Sequence, residues 1–339
     1  MTRILVATPQ DTLDALMRKS ERERLESLGD VVWRTDLNRQ TAEEAYGLAL
    51  AEARPDILVS GWASPCLTGR LLQDNPQLKL AINLTGEVKK YVARECLEQG
   101  LTVTNWGDVP AASVAEAALM MTLASLRKVY HWQCEMHRNK AWRSDPPDPR
   151  WTPQGLFDKT VGLYGFGRIA REYALMLKPF NPRILVFSGW ITPEDKTRYG
   201  VETVDSLKAL FAQCDIVAIH TGNRPDTLHS VNADILAAMK DGGHLINTAR
   251  GPIVDTDALV AELKHGRLFA ALDVFEEEPL PADHPLRGLD GCLLFPHQGG
   301  PTQDYRFRCG VNAVDQVERH ISGEPLKYRI ALDQYDRMT

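Results

Sequence analysis

Four segments of this chain place small, basic, acidic or imidazole residues directly after apolar runs. The first, Val161-Gly-Leu-Tyr-Gly-Phe-Gly-Arg-Ile-Ala170, has small residues at Gly165, Gly167 and Ala170. In this spacing the first glycine permits a tight turn and the second lets backbone approach a pyrophosphate. The third small residue lets helix lie close on strand. A helix that starts there offers free N–H groups and partial positive charge to phosphates. The other three segments are Leu245-Ile-Asn-Thr-Ala-Arg250, Ala270-Ala-Leu-Asp-Val-Phe-Glu-Glu-Glu278 and Cys292-Leu-Leu-Phe-Pro-His297. Taken singly, Arg250 reads as a helix-capping group, Glu276 to Glu278 as solvated charges and His297 as a core histidine. Together, behind a phosphate loop, they supply one chemistry. Arg250 can grip a carboxylate with two parallel hydrogen bonds. His297 can exchange a proton with a hydroxyl or carbonyl at neutral pH, and a carboxylate beside it fixes the useful tautomer. A hydride leaving a carbinol carbon needs such a base, and a hydride arriving at a ketone needs the corresponding acid.

The elements that must position these groups are two α/β series. Short apolar strands are expected at 3–7, 31–33, 56–59, 79–83 and 101–104, with helical stretches at 13–28 and 42–53. A second series begins at Thr160 and continues with strands at 183–187, 215–220, 242–248, 268–274 and 292–295. Apolar strands alternating with helices argue for parallel sheets covered on both faces. Between the series, 112–131 is rich in Ala, Leu and Met and reads as one buried helix capped by Ser113. The polar, Pro-rich stretch 139–153 reads as a loop. The strand 183–187 ends at Ser188, where an Asp or Glu would bind the adenosine ribose hydroxyls. Ser188 can still bond a hydroxyl and repels a 2′-phosphate less than a carboxylate would. No Lys or Arg follows until Lys196. This points to NAD while leaving NADP admissible.

The 339 residues suffice for two domains of ordinary size, and 39 Lys and Arg against 45 Asp and Glu give a net charge of −6. That sign argues against a whole-chain nucleic-acid footprint. The ten uncharged residues between Glu116 and Arg127 are about half of the ~20 needed to cross a bilayer. Six scattered cysteines without a CxxC argue against a disulfide framework or structural zinc. A soluble, cytoplasmic protein without metal, nucleic-acid or membrane partners is expected.

The four motifs in this order resemble the D-isomer-specific 2-hydroxyacid dehydrogenase family. The similarity is strongest in VGLYGFGRIAR (161–171), NTARGPIVD (247–255), ALDVFEEEP (271–279) and PHQGGPT (296–302), with Ser113-Val-Ala-Glu116 similar to the family's interdomain-helix motif. The resemblance implies an α/β protein of two doubly wound parallel-sheet domains. A flavodoxin-like substrate domain would comprise 1–106 and 302–339, and a Rossmann cofactor domain 107–301. It implies Arg250 as the substrate-binding arginine, His297 as the acid/base and Glu278 as its supporting acid. Asp273 would lie near the nicotinamide carboxamide, Arg168 and Ile169 at the pyrophosphate turn, and Thr248 and Ala249 beside the nicotinamide ribose. Thr221, in a turn that departs from the family's Pro-containing one, joins the cofactor set with Gly165, Gly167 and Ser188. Thr85 and Gly86 correspond to the loop whose backbone amides bind the substrate carboxylate, where Lys89 or Lys90 could add positive charge. The activity implied is NAD(P)-dependent hydride transfer at C2 of a small 2-hydroxy or 2-keto acid by a homodimer. Two alternatives share the fold, a nucleotide-sensing corepressor and a formate dehydrogenase. The complete Arg, Glu and His set favours catalysis, and formate oxidation needs no proton acceptor for an alcohol. Trp62, Trp106 and Trp142 are expected to serve packing.

Overall fold

Runs of three to five residues, most of them rich in Val, Ile and Leu, form twelve strands among residues 1–142 and 148–337, the part of the chain that the computed structural model describes. The chain divides into two compact units, one of residues 1–110 and 301–339, the other of 111–300.

In the first unit, β1 (Arg3–Val6), β2 (Asp30–Trp33), β3 (Ile57–Ser60), β4 (Leu80–Asn83) and β5 (Thr102–Thr104) form a parallel sheet in the order β2-β1-β3-β4-β5. Every residue of β3 and β4 is buried, as continuous apolar strands covered on both faces require. One cover is the helix Gln303–Ile321, whose Cys309, Ala313, Val314 and Val317 join Ile4, Ile57 and Leu80 in one apolar cluster. The expected single helix over 13–28 is instead two, Gln10–Leu16 and Lys19–Leu28. Met17 between them is extended, and the Arg18 amide donates to Glu21 Oε2 at 2.8 Å to start the second.

In the second unit, β6 (Thr160–Tyr164), β7 (Arg183–Phe187), β8 (Val201–Thr203), β9 (Ile216–Ile219), β10 (His244–Asn247), β11 (Phe269–Leu272) and β12 (Cys292–Leu294) form a parallel sheet in the order β12-β11-β10-β9-β6-β7-β8. Strand order reverses at β6, so the crevice beyond the carboxyl ends of β6 and β9 is where a ligand binds in such sheets. The edge strand β8 is short, two of its three residues are polar and exposed, and no apolar run announces it. The helix Ala111–Leu126 lies against the helix Arg168–Leu177, where Ala115, Ala118 and Met121 meet Ala170, Tyr173 and Ala174. Ser113 falls inside the first of these helices, so it is not its cap. The same helix stops at Leu126, and a second runs from Val129 to His137. Lys128 between them takes φ 55°, because its side chain turns into the core beside His244. In the expected loop 139–153, residues 143–147 lie outside the described residues, and Pro149–Trp151 form a 3-10 turn whose Trp151 is buried. Trp62 and Trp106 meet edge to face at 6.0 Å, whereas Trp142 is 73% exposed and is not a packing residue.

Candidate active site

β6 leads into the glycine turn, and the reason for its glycines is geometric. Gly165 has φ +93°, and a Cβ there would stand 2.8 Å from the His220 carbonyl and the Thr221 nitrogen. Only glycine lets the end of β6 lie this close to the end of β9. A Cβ on Gly167 would meet nothing within 4 Å, so the backbone there faces open space at the start of the ten-residue helix Arg168–Leu177. Ala170 is fully buried on the strand side. A turn closed by Gly165, open above Gly167 and followed by a helix N-terminus fits a dinucleotide pyrophosphate, with Arg168 and Ile169 in the helix's first turn. Ser188 follows β7 directly, and its Oγ accepts the Trp190 amide at 3.3 Å. Thr221 lies just beyond β9.

β10 ends at Asn247, a buried amide that organises the next three residues. Its Oδ1 accepts the Ala249 N–H at 3.0 Å and its Nδ2 donates to the Arg250 carbonyl at 3.0 Å. Thr248 is thereby buried and Arg250 exposed, its Nη1 donating to the Ala249 carbonyl at 2.7 Å. Gly251 passes beneath the next loop so closely that a Cβ would lie 1.9 Å from the Phe275 carbonyl carbon. Glu276 secures that loop by accepting the Thr256 N–H at 2.9 Å and pairing with His229 at 3.2 Å.

The carboxyl ends of β11 and β12 bring Asp273, Glu278 and His297 together. Glu278 Oε1 accepts the Phe275 amide at 3.0 Å, and Oε2 lies 2.6 Å from His297 Nδ1. With Nδ1 engaged, Nε2 is the ring nitrogen left for chemistry. Both side chains keep contact with solvent, His297 at 50% and Glu278 at 35% exposure. Arg287 donates to the Leu280 and Pro281 carbonyls and fixes the chain after Glu278. Asp273 has a role the sequence does not disclose. Its buried carboxylate accepts the Gln298 amide at 2.8 Å and the Gly299 amide at 2.9 Å, while its carbonyl accepts the His297 amide at 2.8 Å. His297 itself has φ +53°, a conformation a non-glycine residue holds only when its surroundings dictate it. Burial pushes the Asp273 carboxyl upward, against the two amides and His297, which favour its charged form.

Asn247, Gly251, His229 and Gly299 also support the site, although nothing in the sequence singled them out, and Glu276, expected singly as a solvated charge, is instead bonded to Thr256 and His229. The signal available was a polar residue closing an apolar strand, as in His244-Leu-Ile-Asn247.

In the first unit, Thr85 is fully buried, with its amide and hydroxyl both bonded to Asn83 Oδ1 at 2.8 and 2.7 Å. It therefore offers neither donor to a substrate. Gly86 lies under the Trp106 indole, where a Cβ would be 2.4 Å from Nε1. Lys89 donates to the Asp336 carbonyl at 3.1 Å and Lys90 pairs with Glu87 at 2.9 Å, so each amine is held within its own surface. Among the described residues no group of three or more His, Cys, Asp or Glu could hold a metal ion, and no helix is long and apolar enough to cross a membrane.

Residues 119–299 match the model of the D-isomer specific 2-hydroxyacid dehydrogenase NAD-binding domain. A D-3-phosphoglycerate dehydrogenase of Methanocaldococcus jannaschii is 30% identical over 96% of this chain, which spans 58% of that relative's length. A glyoxylate reductase of Thermofilum pendens is 37% identical over 68% of each chain. An NADPH-dependent glyoxylate/hydroxypyruvate reductase of Sinorhizobium meliloti superposes with a TM-score of 0.76 at 25% identity, covering 98% of both chains.

Proposed function

We propose that this chain, which belongs to the D-isomer-specific 2-hydroxyacid dehydrogenase family, interconverts a small 2-keto acid and the corresponding 2-hydroxy acid with a nicotinamide coenzyme. The observation that carries this reading is the 2.6 Å contact between Glu278 and His297 Nδ1, at the same carboxyl edge of the sheet that the exposed Arg250 follows after β10. In the neutral imidazole, Nδ1–H donates to Glu278 and Nε2 is a base for the hydroxyl of a 2-hydroxy acid. In the reverse direction His297 is charged, Glu278 stabilises that charge, and Nε2–H protonates the carbonyl oxygen. Arg250 binds the substrate carboxylate or carbonyl. Asp273 holds the turn that aims the imidazole. The bound nicotinamide supplies or accepts the hydride.

Gly165, Gly167, Arg168 and Ile169 would hold the pyrophosphate, and Thr248 and Ala249 the nicotinamide ribose. Ser188 carries no carboxylate to repel a 2′-phosphate, so NAD is taken and NADP is admitted. Gly86 belongs to the substrate loop of the first unit, and the active form is a homodimer. The test is a screen of NADH and NADPH oxidation over glyoxylate, hydroxypyruvate, pyruvate, phenylpyruvate and bulkier keto acids. Turnover with at least one of them is expected. A protein that binds coenzyme yet reduces none of them, or that oxidises formate instead, overturns the reading.

A further inference from the structure

A cavity of about 640 Å³ takes in both His297 and Glu278, and every residue that lines it belongs to the second unit. Ligand pockets span about 300–1,000 Å³, so this one has room for far more than a two-carbon acid. Its wall is mostly apolar. Phe275 and Leu280 flank Glu278 along the chain, and Leu294 and Phe295 lead up to His297. All four are half-buried. Half-buried apolar side chains gathered around a concavity mark a ligand site rather than a core.

Backbone bonds frame the wall. The Phe275 amide donates to Glu278 Oε1 at 3.0 Å, and the Leu280 carbonyl accepts Arg287 Nη2 at 2.7 Å. Leu294 pairs with Leu272 of β11, and the Phe295 amide donates to the Leu272 carbonyl at 2.8 Å. A wall held in this way needs little ordering when an apolar group enters it. Its charges decide which part of a 2-keto acid that group is. Among the described residues that line the cavity, Arg287 is the one guanidinium, and it is committed to the carbonyls of Leu280 and Pro281. Glu278 brings a carboxylate. A substrate carboxylate placed here would meet a like charge without an uncommitted guanidinium, whereas an apolar side chain would meet Phe275, Leu280, Leu294 and Phe295.

We propose that the cavity receives the side chain of the substrate, and that the substrates are 2-keto acids bearing an aryl or branched aliphatic group at C3. Glyoxylate has no side chain to place there, and the hydroxyl of hydroxypyruvate would enter an apolar wall without a partner. One methylene more or less in an apolar pocket changes kcat/KM by about 10–200-fold. The inference rests on the 2-keto acid reduction proposed above and specifies its substrate class.

Steady-state kinetics of the full chain with saturating NADH or NADPH tests it. The kcat/KM for phenylpyruvate and 4-methyl-2-oxopentanoate should exceed that for glyoxylate and hydroxypyruvate by at least about 100-fold. Leu280→Asp, which sets a second carboxylate in the wall, should lower the ratio of phenylpyruvate to glyoxylate kcat/KM by about tenfold or more, and Leu280→Ala should lower it by less. A parent chain that uses glyoxylate or hydroxypyruvate as well as phenylpyruvate overturns the inference and leaves keto acid reduction standing. An unchanged ratio in Leu280→Asp also overturns it, because the side chain then lies elsewhere. If no 2-keto acid is reduced, the proposed activity itself fails and the inference falls with it.

Discussion

Two side chains set the geometry of His297, and each controls a different property of the imidazole. Glu278 sets its tautomer through Nδ1. Asp273 sets its direction through the amides of residues 298 and 299, and the left-handed backbone at residue 297 is the consequence. Asp273→Asn replaces one acceptor oxygen with a donor facing another donor, which loosens the turn. A displacement of about 1 Å at a reacting group costs on the order of 10²-fold in rate. Steady-state kinetics should therefore show a fall of that order in kcat with the coenzyme KM little changed; a loss confined to the coenzyme KM would contradict the assignment. Ser188→Asp should lower kcat/KM for NADPH by at least about tenfold while leaving NADH use intact, since a carboxylate there repels the 2′-phosphate. Equal effects on the two coenzymes would show that Ser188 does not face the ribose. The placement of Arg250, Glu278 and His297 on one sheet edge was legible because each follows an apolar strand. The bonds from Asp273 to residues 298 and 299 were not, because a hydrogen bond to a backbone amide leaves no trace in residue type.

The helix break at Lys128 shows how one side chain can overrule local preference. The stretch 112–131 has the composition of one helix, yet it is divided so that Lys128 can reach a buried cluster. Its Nζ lies 3.2 Å from His244 Nε2 and 3.0 Å from the centre of the Phe269 ring, and His244 Nδ1 is 2.7 Å from Ser125 Oγ. Tertiary contacts of this kind are invisible to periodicity, as was β8, which has no apolar run. Burial, with Arg150 and Lys159 adding to it, lowers the Lys128 amine to about 7. In the unfolded chain a lysine titrates near ~10.4. Between these values the unfolded state holds a proton that the folded state has released, so stability rises with pH from about 7 toward 10. Burial likewise holds His244 well below its ordinary value, so acidification also favours the unfolded state. Lys128→Met, which removes the titrating amine, should flatten that rise between pH 7 and 10. Urea denaturation at several pH values would measure this; an unchanged slope between pH 7 and 10 would contradict it.

Across the whole molecule, the five strands of one parallel sheet and six of the seven strands of the other, all but β8, were legible from the alternation of apolar runs, and the reversal of strand order at β6 puts the glycine turn where such sheets bind ligands. A ligand that binds only the folded state at 100 times its Kd adds about 2.7 kcal/mol to stability. NADH should accordingly raise the melting temperature. Gly165→Ala, which forces a Cβ to 2.8 Å from the His220 carbonyl at φ +93°, should abolish that rise. A melting shift that survives the substitution would place the coenzyme elsewhere. The proposed reaction depends on proton transfer at one imidazole. Turnover of His297→Ala should be measured with the best 2-keto acid, alongside its affinity for NADH. A fall of about 10²–10⁴-fold in kcat with parental coenzyme affinity is expected, and near-parental turnover would contradict the role given to His297.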